Sequence, residues 1–435
     1  MKSKQAQYVV SIILISAMSF VSDRRLQAQS TSVTAQELPS ASADEVGMSE
    51  VKLAKVIPSL QQLVDEEEIP GAIVMVARHG KVVLHEAVGW RDVEEKKPMR
   101  TDSILRFYSM TKAITSVCTM TLVEEGKITL DDPVSRHIPE FAGLGVFTQQ
   151  VDGELKQVEA KREMTIRDLL RHTSGLTYGF FADSPVDQAY VRVNVLDDSQ
   201  PLKRMIEKLS DLPLRYQPGT RFNYSVSTDV LGHLIEVVSG QDLDEFFQQR
   251  VFQPLDMHDT AFHVAPEKLD RFANTYGLRQ NTEGIKVVDH ADDSKFGRPL
   301  ALLSGGGGLV STARDYMRFC QMLLNDGKLG EVRILKASTV REMTTNQLPE
   351  SAYPLTLNGA REGVGFGLGF SVVIEKTDWT QHCHLGEYGW GGAASTHYWI
   401  SPQDDLAVVV LTQKIPFTFQ LENLVKPLVY DAIEQ

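Results

Sequence analysis

The sequence predicts an α/β (α+β) fold: one antiparallel sheet flanked by helices, assembled from N- and C-terminal segments, with an all-helical domain inserted between them. Two observations predict it. Strand-like runs sit near the start and near the finish of the 435 residues, and helical periodicity dominates the interval between them. In order, a helix is expected over much of Ser49 to Glu68, started or kinked by Pro58. Ala72–Arg78 and Lys81–Gly89 are β-rich runs joined by His79-Gly80, the pattern of a tight hairpin. Helical patterns follow at Thr165–Gly175, Val226–Gly240 and Leu243–Leu255, each closed or followed by Gly or Pro. Three more strands are expected at Phe366–Glu375, Ser395–Ser401 and Leu406–Gln413, the last two joined by a turn at Pro402 to Asp405. An amphipathic helix from Phe419 to Glu434 places Leu421, Leu424, Leu428 and Ile433 near one face. The expected boundaries are a signal peptide at 1–28, a linker at 29–44, a sheet domain from 45–110 and 289–435, and a helical domain at 111–288.

A composition of 42% hydrophobic and 23% charged residues is that of a globular protein and excludes a disordered or coiled-coil chain. The net charge of −13 leaves no broad basic surface and no Lys/Arg run supplies a local one, so nucleic acid is not an expected partner. Lys2 and Lys4 precede the apolar run Tyr8–Val21, and polar residues with Ala28 follow, the pattern of a secretory signal. That run is shorter than the roughly 20 residues a spanning helix needs. Arg24 and Arg25 directly after it leave an uncleaved anchor as the alternative, which would make the membrane a partner. The expected location is exported, periplasmic or extracellular. Cys118, Cys320 and Cys383 leave open one disulfide plus a free thiol, or three separate thiols.

Serine followed three residues later by lysine occurs twice, at Ser49/Lys52 and Ser109/Lys112. Ser49 reads as a helix N-cap. Ser109 opens a largely apolar helix in which Met110, Ile114, Val117 and Met120 recur at helical spacing, so its N-terminus should point from the core into a cleft. Residues three apart share a helix face, about 5–6 Å between Cβ atoms. A partly desolvated Lys112 could there take the Ser109 proton, and the helix N-terminus favours negative charge developing nearby. Tyr224, in Phe222-Asn223-Tyr224-Ser225-Val226, can act as base and later acid if it lies beside the ammonium. Tyr388-Gly389-Trp390-Gly391-Gly392-Ala393 leads into a strand, and glycines there let a ligand approach backbone N–H groups. One such N–H, with that of Ser109, would make an oxyanion hole.

The order Ser109-Met110-Thr111-Lys112, then Tyr224-Ser225, then a glycine-rich edge strand resembles the serine β-lactamase and penicillin-binding superfamily. Within it the chain is similar to class C β-lactamase-like proteins, and most to the family VIII carboxylesterases and related acyltransferases. The likeness covers about Glu45 to the C-terminus. It implies a β-lactamase/transpeptidase-like fold, acylation of Ser109, and a proton shuttle through Lys112 and Tyr224. It further implies an oxyanion hole from the Ser109 and Ala393 amides. Tyr108, Val226, Trp390, Gly391 and Gly392 are then the candidate substrate contacts, with a small-molecule ester or acyl substrate and no metal or organic cofactor. Two departures bear on substrate: Val226 stands where Tyr-x-Asn is usual, and Trp390 replaces the cation of Lys-Thr-Gly. Both remove polar groups that would hold a charged amide, which favours a carboxylesterase acting on neutral esters. A D-Ala-D-Ala carboxypeptidase or β-lactamase, an acyltransferase, and a non-catalytic binder of cell-wall peptide are the alternatives.

Other constellations are weaker. No serine is flanked as in Gly-x-Ser-x-Gly, and no Gly-Lys-Ser/Thr follows Gly305 to Gly308, which instead should allow close packing against a helix beginning near Ser311. His382-Cys383-His384 fits no zinc spacing and reads as strand, with the histidines on one side. His172 is expected to be structural.

Overall fold

The hairpin at His79-Gly80 organises the sheet. In the computed structural model, which describes residues 35–181, 183–279, 284–357 and 359–434, both turn residues have positive φ, 51° and 71°. This matches the twist of the strands they join. After a helix α1 (Val56–Asp65) come β1 (Gly71–Arg78), β2 (Lys81–Asp92) and the short β3 (Lys97–Pro98). Three helices contribute to the larger core: α2 (Thr111–Glu124), α3 (Ser227–Ser239) and α4 (Ala313–Leu324). Five strands then complete the sheet: β4 (Val364–Phe366), β5 (Ser371–Val373), β6 (Tyr388–Gly392), β7 (Thr396–Ser401) and β8 (Leu406–Leu411). Helix α5 (Gln420–Ala432) comes last.

The eight strands lie in the order β4-β5-β6-β7-β8-β1-β2-β3, every pair antiparallel. Early and late segments meet where Ile73 pairs with Leu411 and Arg78 with Leu406. Alternation along β1 divides the core. Ala72, Val74 and Val76 join an apolar cluster with α1 and α5, whereas Ile73, Met75 and Ala77 join the cluster that holds α2, α3 and α4. Covered on both faces, β8 can be apolar throughout, and all six of its residues are buried. No helix among the described residues is long and apolar enough to cross a membrane.

Four sequence expectations change. The Ser49–Glu68 helix is two pieces, Glu50–Leu53 and α1, with Pro58 in the first turn of the second, where its missing N–H costs nothing. Phe366–Glu375 is not one strand, because Gly367 to Gly369 turn the chain between β4 and β5 and the Gly367 N–H donates to Phe370 O. The 111–288 interval is not all helix. It holds the hairpins Gly145–Val151 with Glu154–Glu159 and Thr275–Leu278 with Ile285–Asp289, the latter pairing in parallel with Lys414–Ile415. Residues 35–44, expected to be linker, dock on the fold: buried Arg318 donates to Ala35 O (2.5 Å) and Gln36 O (3.0 Å), and Ala41 N–H donates to Val82 O. The described residues form one compact unit. The expected signal peptide, and the linker as far as 34, lie outside the described residues.

Two buried charged clusters brace this framework. On α5, Lys426 Nζ donates to Glu422 Oε1 (2.6 Å) and to Glu387 Oε1 (2.7 Å), and it sits over the Trp399 ring. His397 Nδ1 and Tyr430 Oη complete the coordination of these two carboxylates. In the second cluster Asp168 closes a capping box with Thr165 and accepts from Arg162, Arg171 and Thr173, which fixes the loop that begins at Arg171. Burial opposes the Asp168 charge, but these donors prevail and hold its carboxyl down at about 2. Because that value lies below an unfolded aspartate near 3.9, the cluster stabilises the fold fully above that pH. Its contribution, about 2 kcal/mol, is lost as pH falls from roughly 4 to 2. Urea unfolding across this range should show the loss in wild type and its absence in Asp168→Asn.

Candidate active site

Ser109 sits in a one-turn 3₁₀ segment, Tyr108–Met110, that runs straight into α2. Tyr108 has φ 43°, a left-handed conformation costly for a bulky residue and held here by its surroundings. Tyr316 Oη donates to Met110 O (2.8 Å), and the Leu309 N–H to Thr111 Oγ1 (3.1 Å). Every residue of α2 from Thr111 to Leu122 is buried, so the helix is a rigid post with its N-terminus at the cleft. Ser109 itself is half-buried.

Lys112 is 2% exposed, and its three ammonium donors meet three oxygens. They are Gly306 O at 2.5 Å, Tyr178 Oη at 2.8 Å and Ser109 Oγ at 3.3 Å. No carboxylate among the described residues contacts it directly. Asp229 of α3, on which the Lys112 charge acts, accepts from Ser304 Oγ (2.5 Å) and Gly306 N–H (3.0 Å) through Oδ1, while Oδ2 has no partner among the described residues. Burial raises the Asp229 pKa, against the pull of the Lys112 charge. The glycine run is thus part of the site. Gly305 O and Gly306 O face α2 rather than the helix after Ser311, and a Cβ on Gly305 would stand 2.7 Å from Thr228 O.

Two tyrosines flank the ammonium. The Tyr224 ring centroid lies 4.7 Å from Lys112 Nζ, but its hydroxyl turns to Trp390, whose Nε1–H donates to it at 3.3 Å. Tyr178, which sequence reasoning missed, holds the hydrogen bond to Lys112 expected of Tyr224. Burial, then the Asp229 charge, pushes its hydroxyl well above the ordinary tyrosine range, so Tyr178 stays protonated. The only signal for it was its place four residues after Ser174 in the segment carrying His172. His172 is buried against Phe222 and Tyr224, and burial and the Lys112 charge lower its pKa, so it is a neutral packing residue.

Strand β6 closes the other wall. A Cβ on Gly392 would stand 2.2 Å from Phe107 O, so only glycine allows this strand so close to the Ser109 turn. Among the described residues neither the Ser109 nor the Ala393 N–H meets a backbone acceptor. Both residues line one cavity of ≈ 220 Å³, together with Tyr224, Trp390, Gly391 and Gly392. Tyr108 and Val226 do not line it. Tyr108 packs edge-on against Phe296, and Val226 is wholly buried at the start of α3, its N–H donating to Thr177 O. Val226 is therefore corrected to a framework position, whereas Tyr108 stays partly exposed beside Ser109.

Of the remaining candidates, Ser49 occupies an N-cap position without a side-chain capping bond, and Lys52 Nζ donates to Asp431 O. His382-Cys383-His384 is an irregular turn rather than a strand, with His384 Nδ1 2.5 Å from Asp404 Oδ2 and Cys383 near Lys426 Nζ. All three cysteines are free thiols, and burial pushes that of Cys383 up to about 12.

Residues 58–424 match the model of the beta-lactamase family. Protein Rv1367c of Mycobacterium tuberculosis is 35% identical over 363 residues, which cover 82% of this chain and 89% of that protein. Esterase EstB of Burkholderia gladioli is 31% identical, covering 82% of this chain and 90% of its own. Among solved structures, EstCE1, a hydrolase with promiscuous acyltransferase activity, superposes with a TM-score of 0.73 at 29% identity, covering 87% of this chain and 99% of its own. With its sheet, its Ser109 beside the buried Lys112 and these matches, the chain belongs to the beta-lactamase family and is a serine hydrolase.

Proposed function

We propose that the protein is a carboxylesterase working through an acyl-enzyme on Ser109. The observation that carries this reading is Lys112. It is buried, lies 3.3 Å from Ser109 Oγ and has no ion-pair partner among the described residues, so its neutral amine form can take the serine proton without breaking a salt bridge. Ser109 Oγ attacks the ester carbonyl as its proton passes to the neutral Lys112 amine, which becomes the ammonium. The oxyanion is held by the Ser109 and Ala393 amides, which donate where negative charge develops. Tyr224, at the cavity wall, protonates the departing alcohol, while Tyr178 and Gly306 O hold the ammonium in place. Water, or a second alcohol, then releases the acyl group. The aromatic wall of Tyr224, Trp390, Phe180 and Phe181 suits an acyl chain or aryl alcohol.

Purified protein is expected to hydrolyse p-nitrophenyl butyrate and to turn over nitrocefin far more slowly. A fluorophosphonate should stop the esterase and add one phosphonyl mass to the peptide containing Ser109. Nitrocefin turnover above that of the ester would favour the β-lactamase reading, and no adduct on Ser109 would end the acyl-enzyme one. The same proposal places the mature protein outside the cytoplasm, supported by the basic and then apolar stretch from Lys2 to Val21. Cytoplasmic protein that retains residues 1–28 would contradict it.

A further inference from the structure

The cavity wall beyond Trp390 carries a charge that the aromatic reading does not use. Arg361, at the end of the two-residue strand Ala360–Arg361, is 8% exposed and lines the same cavity as Ser109. Its guanidinium carbon lies 4.9 Å from the ring centroid of Phe419, 5.7 Å from that of Trp390 and 5.8 Å from that of Trp379. Three aromatic faces orient the guanidinium plane but offer no acceptor in it. Its Nε has no hydrogen-bond partner among the described residues, and none of their carboxylates forms an ion pair with it. The nearby acids are already engaged. Glu422 is bound by Lys426 and His397, and Glu387 by Lys426 and Tyr430. A buried guanidinium with no carboxylate in contact is costly, the Glu422 charge acting on it only from beyond ion-pair distance, and its planar fork matches a carboxylate.

The position also says which part of a substrate would reach it. Trp390 stands between Arg361 and Tyr224, donating to the Tyr224 hydroxyl on one side and facing the guanidinium on the other. If Tyr224 protonates the departing alcohol, Arg361 lies on the leaving-group side of the reacting carbonyl. We infer that Arg361 binds a carboxylate on the alcohol portion of the substrate, so that the enzyme acts on esters of hydroxy acids. This rests on the carboxylesterase reading above and goes further by naming the leaving group. The chemistry balances without a co-reactant: acyl transfer to Ser109 releases the hydroxy acid, and water then releases the acyl group as a carboxylic acid.

The test compares two chromogenic esters that differ only in charge, 3-butyryloxy-4-nitrobenzoate and the corresponding benzamide. Wild type should favour the carboxylate by about tenfold or more in kcat/KM, chiefly through KM. Arg361→Gln should bring that ratio to about one, and Arg361→Lys should restore part of it. A wild-type ratio near one, or a ratio unchanged in Arg361→Gln, would overturn the inference while leaving the esterase standing. Should Arg361→Gln fail to fold, the released product decides. 3-Hydroxy-4-nitrobenzoate should inhibit wild type competitively and its carboxamide should not; equal inhibition overturns the inference. If wild type hydrolyses neither ester, the esterase reading fails, and binding of the two products, followed by quenching of tryptophan fluorescence, still decides for or against Arg361.

Discussion

Ser109→Ala and Lys112→Met are each expected to lower kcat for p-nitrophenyl butyrate by about 10⁴-fold, ~5 kcal/mol of transition-state stabilisation, and the double variant by no more than either alone. The non-additivity follows from geometry. Lys112 Nζ reaches Ser109 Oγ directly, and its other two donors are held by Tyr178 and Gly306, so its chemistry is spent on that serine. Without the lysine amine the serine is an ordinary alcohol, and without the serine the amine has nothing to activate. Methionine keeps the length of the side chain, and Asp229, whose charge Lys112 favours, would take up a proton in that variant. Stability should therefore change much less than rate. Stopped-flow kinetics and thermal unfolding of the three variants check both halves. A Lys112→Met rate within tenfold of wild type would remove lysine from the mechanism, and a multiplicative double loss would show that the two act separately.

Lys426→Met is expected to be the most destabilising single substitution of a charged residue, by about 3–5 kcal/mol in urea unfolding. Lys426 and Glu387 are almost wholly buried, and one ammonium serves two carboxylates at 2.6 and 2.7 Å. Its removal leaves Glu387 and Glu422 facing each other between the sheet and α5 with no cation between them. Glu387→Gln should cost less, because Glu422 keeps both Lys426 and His397. A Lys426→Met variant as stable as wild type would mean that the pair only compensates its own desolvation. Glu387 directly precedes β6, so activity in the milder variant also reports how far this network sets the position of Trp390 to Ala393.

The order of the elements and the sheet built from two distant segments were readable because their signals are local. His79-Gly80 dictates its own turn, and β8 announces itself by six consecutive apolar residues. The Ser109–Lys112 pair was readable from its spacing together with the motifs that follow it in order, since the same spacing at Ser49/Lys52 marks no site. What escaped was set by long-range contacts. Tyr178 contacts Lys112 across 66 positions, and Gly306 does so across 194. No local pattern separates such a tyrosine from a core one. Val226 was misplaced because a residue two positions from Tyr224 need not face the same cavity where a loop becomes a helix. Arg361 was missed because its meaning lies in what does not surround it, and a missing counter-ion leaves no mark in the sequence. Removing the cation at Trp390 suggested a neutral pocket, whereas the fold brings a cation to the wall beside that tryptophan.

The pairing of β1 with β8 bears on how the protein comes to be made. Ile73 meets Leu411, so a chain emerging from a ribosome must keep one edge of its first hairpin open through almost the whole of synthesis. The Ser109 turn waits with it, since the strand that fits against Phe107 through Gly392 is among the last to be translated. Nascent chains stalled before β6 should then bind holdase chaperones and carry no reactive serine, whereas release of the finished chain should supply both missing partners in one folding step.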